Sequence, residues 1–252
     1  MTQDEARVPQ ARCVALTQEH RGHGVSTMAY YLGRALVAQG LRVLLVDLTG
    51  RRARLSTLMS RGPVKNLVYW APPVARPQDV GPVLEQARRQ TAGRADVMLL
   101  DMDAALLERA GGFAVGLDYV VAVTELSSTG QEAADRIAQR LGDETPPSGR
   151  VGVVFSRLDA PSAADLPEKT ETHHLPVIGH YPADYLLAGG DAYSLKGNDS
   201  SWPHDTYLYA LLRLGQRLKQ IVPLSRVSSL VGTNSHVPPP DTGAGPTASA
   251  HV

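Results

Sequence analysis

The sequence has a single cysteine, Cys13, in 252 residues. That excludes an intrachain disulfide and suits a reducing compartment. It has no net charge either, because 25 Lys+Arg balance 25 Asp+Glu. No global field therefore draws the molecule onto nucleic acid or an anionic bilayer, and any such contact has to come from a local patch. No apolar run approaches the roughly 20 residues that a membrane span needs. The opening MTQDEARVPQ is too polar for a signal peptide, so the cytoplasm is the expected location. Lysine is missing from the whole stretch before Lys65, and tyrosine from everything after Tyr209. No internal repeat is present.

What is there is an ordinary globular composition, 43% hydrophobic and 20% charged, enough for one good-sized core. Short apolar runs closed by polar or Gly/Pro residues recur at Cys13 to Thr17, Val43 to Asp47, Val97 to Asp101, Tyr119 to Thr124, Val151 to Phe155 and Pro176 to Tyr181. They predict buried parallel strands. Between them, Met28, Leu32, Ala35 and Leu36 share one helical face that stops at Gly40, and Leu208, Leu211, Leu212, Leu218 and Val222 share another. Alternating strand and helix predict an α/β fold: a doubly wound, mostly parallel sheet with helices on both faces. The expected layout is a flexible N-terminus over 1–10, one domain over 11–222, and a disordered tail over 223–252, Pro/Gly/Ser/Thr-rich with little to bury.

The first predicted strand runs into QEHRGHGVST and then a helix. A strand, a glycine loop and a helix N-terminus in that order turn backbone N–H groups toward a phosphate. The bland alternative for GHG is a tight turn with no ligand. Asp47 and Asp101 each close an apolar run. An acidic residue at the carboxyl end of a parallel strand is common where strands meet solvent, so it is the order of loop, Asp47 and Asp101 that gives the pair weight.

The stretch RCVALTQEHRGHGVSTMAYYLGRALVAQGLRVLLVDLTGRRARLSTL resembles the opening of the ParA/MinD family, P-loop ATPases of the SIMIBI class. Members carry a deviant Walker A loop, KGGxGK[ST], followed by a strand ending VLLVD. The resemblance places His20 on the signature lysine, Arg21 on the first glycine, and Gly22 and Gly24 on the next two. A second register puts Arg21 on the signature lysine instead. In both, Val25 stands at the catalytic lysine, and Ser26, followed by Thr27, at the magnesium-binding hydroxyl. Asp47 matches the aspartate that helps organise the attacking water, and Asp101, in DVMLLDMD, the Walker B aspartate that holds magnesium through water. The family's DxPP switch is replaced by Met102, Asp103 and Ala104. Ser156 stands at an adenine-contacting asparagine, and LPVIGHYPADY, with Pro182 and Asp184, resembles the run beside the base. The similarity spans about residues 11 to 222.

A charge-assisted bond to phosphate contributes roughly 1.5–3 kcal/mol to binding, about one to two decades of affinity. Removing a preorganised donor from the transition state costs on the order of a hundred- to a thousandfold in rate. The resemblance with its lysines lost therefore implies a degenerate Walker A protein in which Asp47 is vestigial, Ser26 and Asp101 hold Mg²⁺ weakly or are vestigial too, and ATP with Mg²⁺ binds weakly or not at all. Branches with altered loops, TadZ/CpaE-like and BcsQ-like, imply localisation or regulation of a pilus, secretion or cellulose/polysaccharide system. The competing expectation is an active ATPase for partition or division-site placement, with Arg21 compensating. A tyrosine kinase of the exopolysaccharide branch ranks low, since that branch carries a tyrosine-rich C-terminus.

Arg21, Arg51 and Arg52 are candidates for a partner surface, against the simpler reading of a solvated basic loop. The expected partners are proteins, in a homodimer or a heteromeric complex. Neutral charge and few lysines argue against DNA. LSRVSSLVG is too short and too weakly basic for stable membrane attachment, which leaves peripheral association through partners. His20 and His23 lack a second ligand pair at structural-zinc spacing. No GxSxG elbow is present.

Overall fold

The computed structural model describes residues 10–19, 24–50, 53–60, 62–73, 77–109, 116–125, 127–142, 150–158, 171–172, 175–182 and 205–222. Eight strands form one sheet: β1 (Arg12–Gln18), β2 (Val43–Asp47), β3 (Leu67–Trp70), β4 (Val97–Asp103), β5 (Tyr119–Glu125), β6 (Val151–Leu158), β7 (Glu171–Thr172) and β8 (Leu175–Pro182). Their order is β3-β2-β4-β1-β5-β6-β8-β7. All pair in parallel except the two-residue β7, antiparallel to β8. The six predicted strands are all present, and the mostly parallel α/β class holds. Sequence reading missed β3 and β7. β3 is only four residues long and sits at the sheet edge, where Val68 is exposed, so it lacks the continuous burial that marks the inner strands.

The helices are α1 (Val25–Ala38), α2 (Ala53–Met59), α3 (Val80–Thr91), α4 (Ala104–Arg109), α5 (Ser128–Gly142) and, last, α6 (Asp205–Ile221). Parallel strands are buried on both faces, and two apolar clusters result. One packs Val14, Leu16, Leu45 and Leu99 of the sheet against Met28, Leu32 and Leu36 of α1, Leu55 of α2 and Leu211, Leu214 and Leu218 of α6. The other packs Cys13, Ala15, Leu100 and Val120 against Leu84 of α3 and Ile137 and Leu141 of α5. Burying one such Leu or Ile contributes about 1.5–3 kcal/mol, so this two-sided sandwich supplies the main driving force.

The α1 face expected from Met28, Leu32, Ala35 and Leu36 is the buried one. Gly40, at φ +85°, ends the helix: its N–H donates to the Val37 carbonyl at 2.9 Å and the Leu41 N–H to the Leu36 carbonyl at 3.1 Å. That left-handed closure suits glycine. On α6, Leu211, Leu218 and Val222 are buried as expected; Leu212 is only half-buried, and Leu214 takes its place in the core. The α1–α6 contact is close. Gln39 Nε2 donates to the Leu212 carbonyl at 3.1 Å, and a Cβ on Gly215 would come within 2.7 Å of that nitrogen. The proposed tail at 223–252 and the start at 1–9 lie outside the described residues.

Candidate functional site

Strand order reverses at β1, which lies between β4 and β5. In open parallel sheets such a reversal leaves a crevice beyond the carboxyl ends of the strands. The end of β1 is tied down on the α5 side. Arg136 grips Glu19 with Nε at 2.9 and 3.0 Å and Nη2 at 2.8 Å, and Arg140 adds a fourth contact at 3.5 Å. That bidentate pair fixes the chain just before the glycine loop.

After the loop, Gly24 caps α1 at φ +82° and accepts the Met28 N–H on its carbonyl at 2.8 Å. Val25 is 2% exposed and belongs to the apolar cluster under α1; Thr27 is buried as well. Ser26 is half-buried, and its hydroxyl donates to Asp101.

Alternation along the strands sets which side chains meet Ser26. Leu45 and Leu99 face α1, so Asp47, Asp101 and Asp103, at even steps beyond them, face the same side. Asp47 and Asp101 are register partners on β2 and β4, and the Leu48 N–H donates to the Asp101 carbonyl at 2.9 Å. The two carboxylates nevertheless differ. Asp47 Oδ1 accepts from the Thr49 N–H at 3.0 Å and the Thr49 hydroxyl at 2.6 Å, and its Oδ2 accepts from the Tyr69 hydroxyl of β3 at 3.2 Å. Three of about four acceptor positions are thus filled by the protein. Asp101 is 1% exposed, and its Oδ2 has no hydrogen-bond partner. Burial pushes its carboxyl up to about 7; the Ser26 hydrogen bond works against that, and the charges of Asp47 and Asp103 add to it.

Ser26, Asp47 and Asp101 lie together at this edge, with Gly24, Val25 and Thr27 at the adjoining helix start. Ser156 does not join them. It lies on β6, two strands from β1, buried, with its hydroxyl donating to the Thr124 carbonyl at 3.2 Å. Pro182 ends β8, one strand further out. His20, Arg21, Gly22, His23, Arg51 and Arg52 lie outside the described residues. Sequence reasoning missed Thr49 and Tyr69 and took Asp103 only as a departure from a switch motif. Thr49 was accessible in principle, since a hydroxyl two residues after an aspartate commonly closes a local turn on it. Tyr69 carries no such signal, because only the β2–β3 pairing brings it to Asp47.

No protein-family model and no curated protein matches the chain. Solved structures do. MinD from Pyrococcus horikoshii, complexed with Mg-ADP, superposes with a TM-score of 0.64 at 18% identity, over 84% of this chain and 97% of its own. The MinC:MinD cell division complex of Aquifex aeolicus gives 0.58 at 20% identity, over 83% and 96%. A ParA family ATPase from Chlorobium tepidum gives 0.58 at 17% identity, over 81% and 98%. The chain has the ParA/MinD fold. The edge formed by the end of β1, the start of α1, Asp47 and Asp101 is the candidate site. No helix among the described residues is long and apolar enough to cross a membrane.

Proposed function

We propose that this chain is a ParA/MinD-like binding protein that does not turn over ATP and that localises or regulates a larger assembly through protein contacts. The observation that carries the reading is position 25. A phosphoryl-transfer site needs a fixed cation where charge develops, and here an isopropyl group, 2% exposed, is packed into the core at that position. Asp47 supports it from the other side. A carboxylate with its oxygens engaged by Thr49 and Tyr69 has little capacity left to orient a water.

The remaining donors fit a divalent cation better than a phosphate. Asp101 with its open Oδ2 and the Ser26 hydroxyl would hold Mg²⁺, which when bound supplies positive charge to neighbouring oxygens. ATP with Mg²⁺ is accordingly a weak ligand at most. In the absence of the lysines, the edge around Gly24 is less costly to bury against a partner, because fewer cations need neutralising there, and Gly22, Arg51 and Arg52 are the partner residues the sequence suggests. The kind of assembly, a pilus, secretion or cellulose/polysaccharide system, rests on the sequence resemblance to the TadZ/CpaE-like and BcsQ-like branches.

A second reading, an active partition or division-site ATPase with Arg21 as its cation, is favoured by one observation: Ser26, Asp47 and Asp101 all keep their places. Light scattering separates the two. The binding-protein reading expects a dimer or stable complex of unchanged mass with and without Mg-ATP, weakened by Arg51→Glu and Arg52→Glu. A monomer that dimerises only with Mg-ATP and ignores both charge reversals would favour the switching ATPase.

A further inference from the structure

The helices on the two faces of the sheet handle their charges differently. On the α3 and α5 side, arginines pair with acids one turn back: Arg88 with Glu85 at 3.0 Å, and Arg136 with Glu132 at 3.8 Å. On the other side, the only acidic residue in α1, α2 and α6 is Asp205, the first residue of α6. Leu211, Leu214, Gly215 and Leu218 turn α6 toward the core, which leaves Arg213, Gln216, Arg217 and Gln220 as an exposed outward stripe.

That stripe has no structural reason to be cationic. Arg213 and Arg217 are four residues apart, and like charges at that spacing destabilise a helix. Asp205 is about 12 Å up the helix axis from Arg213, too far to offset it. Neither arginine lies in the last turn, where the helix dipole favours a cation; Lys219 does. The charge of Arg217 reaches the Tyr119 hydroxyl, but burial pushes that group up to about 12, so it stays neutral and is no counter-ion. A repulsive pair facing outward adds nothing to the core, and what it suits is an anion from outside.

We propose that the outward stripe of α6 docks an acidic segment of a partner protein, Arg213 and Arg217 taking two carboxylates about one helical turn apart while Gln216 and Gln220 donate alongside. This rests on the reading that the chain acts through protein contacts, and it adds a second surface to it. Gln39 bonds to the Leu212 carbonyl at the end of α1 opposite Gly24, so the stripe is separate from the edge around Gly24. The chemistry of the stripe selects the partner. A guanidinium is a planar fork that takes a carboxylate bidentately. From Arg213 to Gln220 the stripe is only about 10 Å long. Duplex nucleic acid carries a charge every ~1.7 Å of its axis and is held by many spread cations, which two arginines on a neutral chain do not supply. Attachment to a bilayer needs apolar side chains on the same face, and this stripe has none.

The test uses the full chain and fluorescence anisotropy of a labelled glutamate-rich peptide at low salt, beside labelled random-sequence duplex DNA and vesicles containing phosphatidylserine. The peptide is expected to bind with an affinity that falls as salt rises. Binding should weaken about two- to fivefold in Arg213→Gln or in Arg217→Gln, and be lost when both are changed to Glu. Gln216→Glu separates recognition from folding: it sets an acid three residues from Arg213, so the thermal midpoint should hold or rise while peptide binding falls. No peptide binding by the wild type, or binding that survives the double reversal, would overturn the proposal. So would tighter binding of the DNA or the vesicles through the same two arginines. Either result leaves the light-scattering test of the edge around Gly24 standing, because neither arginine lies in that edge.

Discussion

The two ends of the sheet treat their aspartates in opposite ways. At the amino ends of the strands, Asp118 accepts Arg12 Nη1 at 2.7 Å and the Cys13 N–H at 2.8 Å. Asp96, just before β4, accepts the Arg42 N–H and Nη2, each at 2.8 Å, while Arg42 Nη1 reaches the Gly93 carbonyl at 2.7 Å. Each carboxylate there stitches the start of one strand to the start of a neighbour, and both its oxygens are used. At the carboxyl ends, Asp101 keeps one oxygen empty, and the Thr17 hydroxyl at the tip of β1 is buried without a partner. One end is built for stability, and the other retains unsatisfied groups of the kind that mark a site for something else.

If that division is right, losing Asp96 and neutralising Asp101 should change stability with opposite sign. The largest effect is expected at the lower end, where Asp96→Ala removes two side-chain bonds to Arg42 and one to its backbone. It should destabilise by about 2–3 kcal/mol in urea unfolding, because the half-buried guanidinium keeps only the Gly93 carbonyl as acceptor. Removing a carboxylate at the upper end should do the reverse. In metal-free buffer, Asp101→Asn is expected to stabilise by about 1–2 kcal/mol, since it deletes a buried charge with an open oxygen while keeping the shape.

The pH dependence of that gain has a defined sign. The folded-state pKa of Asp101 is raised from 3.8 to about 7, so the folded state holds its proton more tightly than the unfolded chain. The wild type is therefore favoured fully below about 4 and loses that advantage as pH rises through 7. The benefit of Asn over Asp should be small near pH 5 and largest above pH 7, as read by unfolding midpoints across that range. A benefit that shrinks as pH rises would contradict the placement of the open carboxylate.

The smallest effect tests Asp47, which lies at the upper end but resembles the lower one in being satisfied. Tyr69→Phe removes one of its three donors and should cost about 1 kcal/mol. It should also speed amide exchange in β3, because the Tyr69–Asp47 bond ties that edge strand across to β2. If stability and exchange are both unchanged, Asp47 is not the brace described above.

Much of this was legible in the sequence. The inner strands announced themselves because burial on both faces demands continuous apolar runs such as VLLVD and VMLLD, and α1 because its apolar stripe is closed by Gly40. The meeting of Asp47 and Asp101 followed from their places at the ends of two such runs behind a glycine loop. What stayed hidden depends on neighbours distant in sequence. Tyr69 reaches Asp47 only through an edge strand too short and too exposed to show a pattern, and the empty oxygen of Asp101 is defined by what fails to surround it. Leu214 is in the core where Leu212 was expected, and beside it Gly215 lies close against Gln39, which bonds to the Leu212 carbonyl. A helical wheel of this segment alone does not show that contact.

The most direct measurement is phosphate release by the purified full chain with saturating Mg-ATP, beside Asp47→Ala. A packed valine at the cation position and a braced aspartate predict that both proteins stay at the no-enzyme background. Robust turnover by the wild type that disappears in Asp47→Ala would contradict this, and would show that a cation from elsewhere in the chain or from a partner completes a working site.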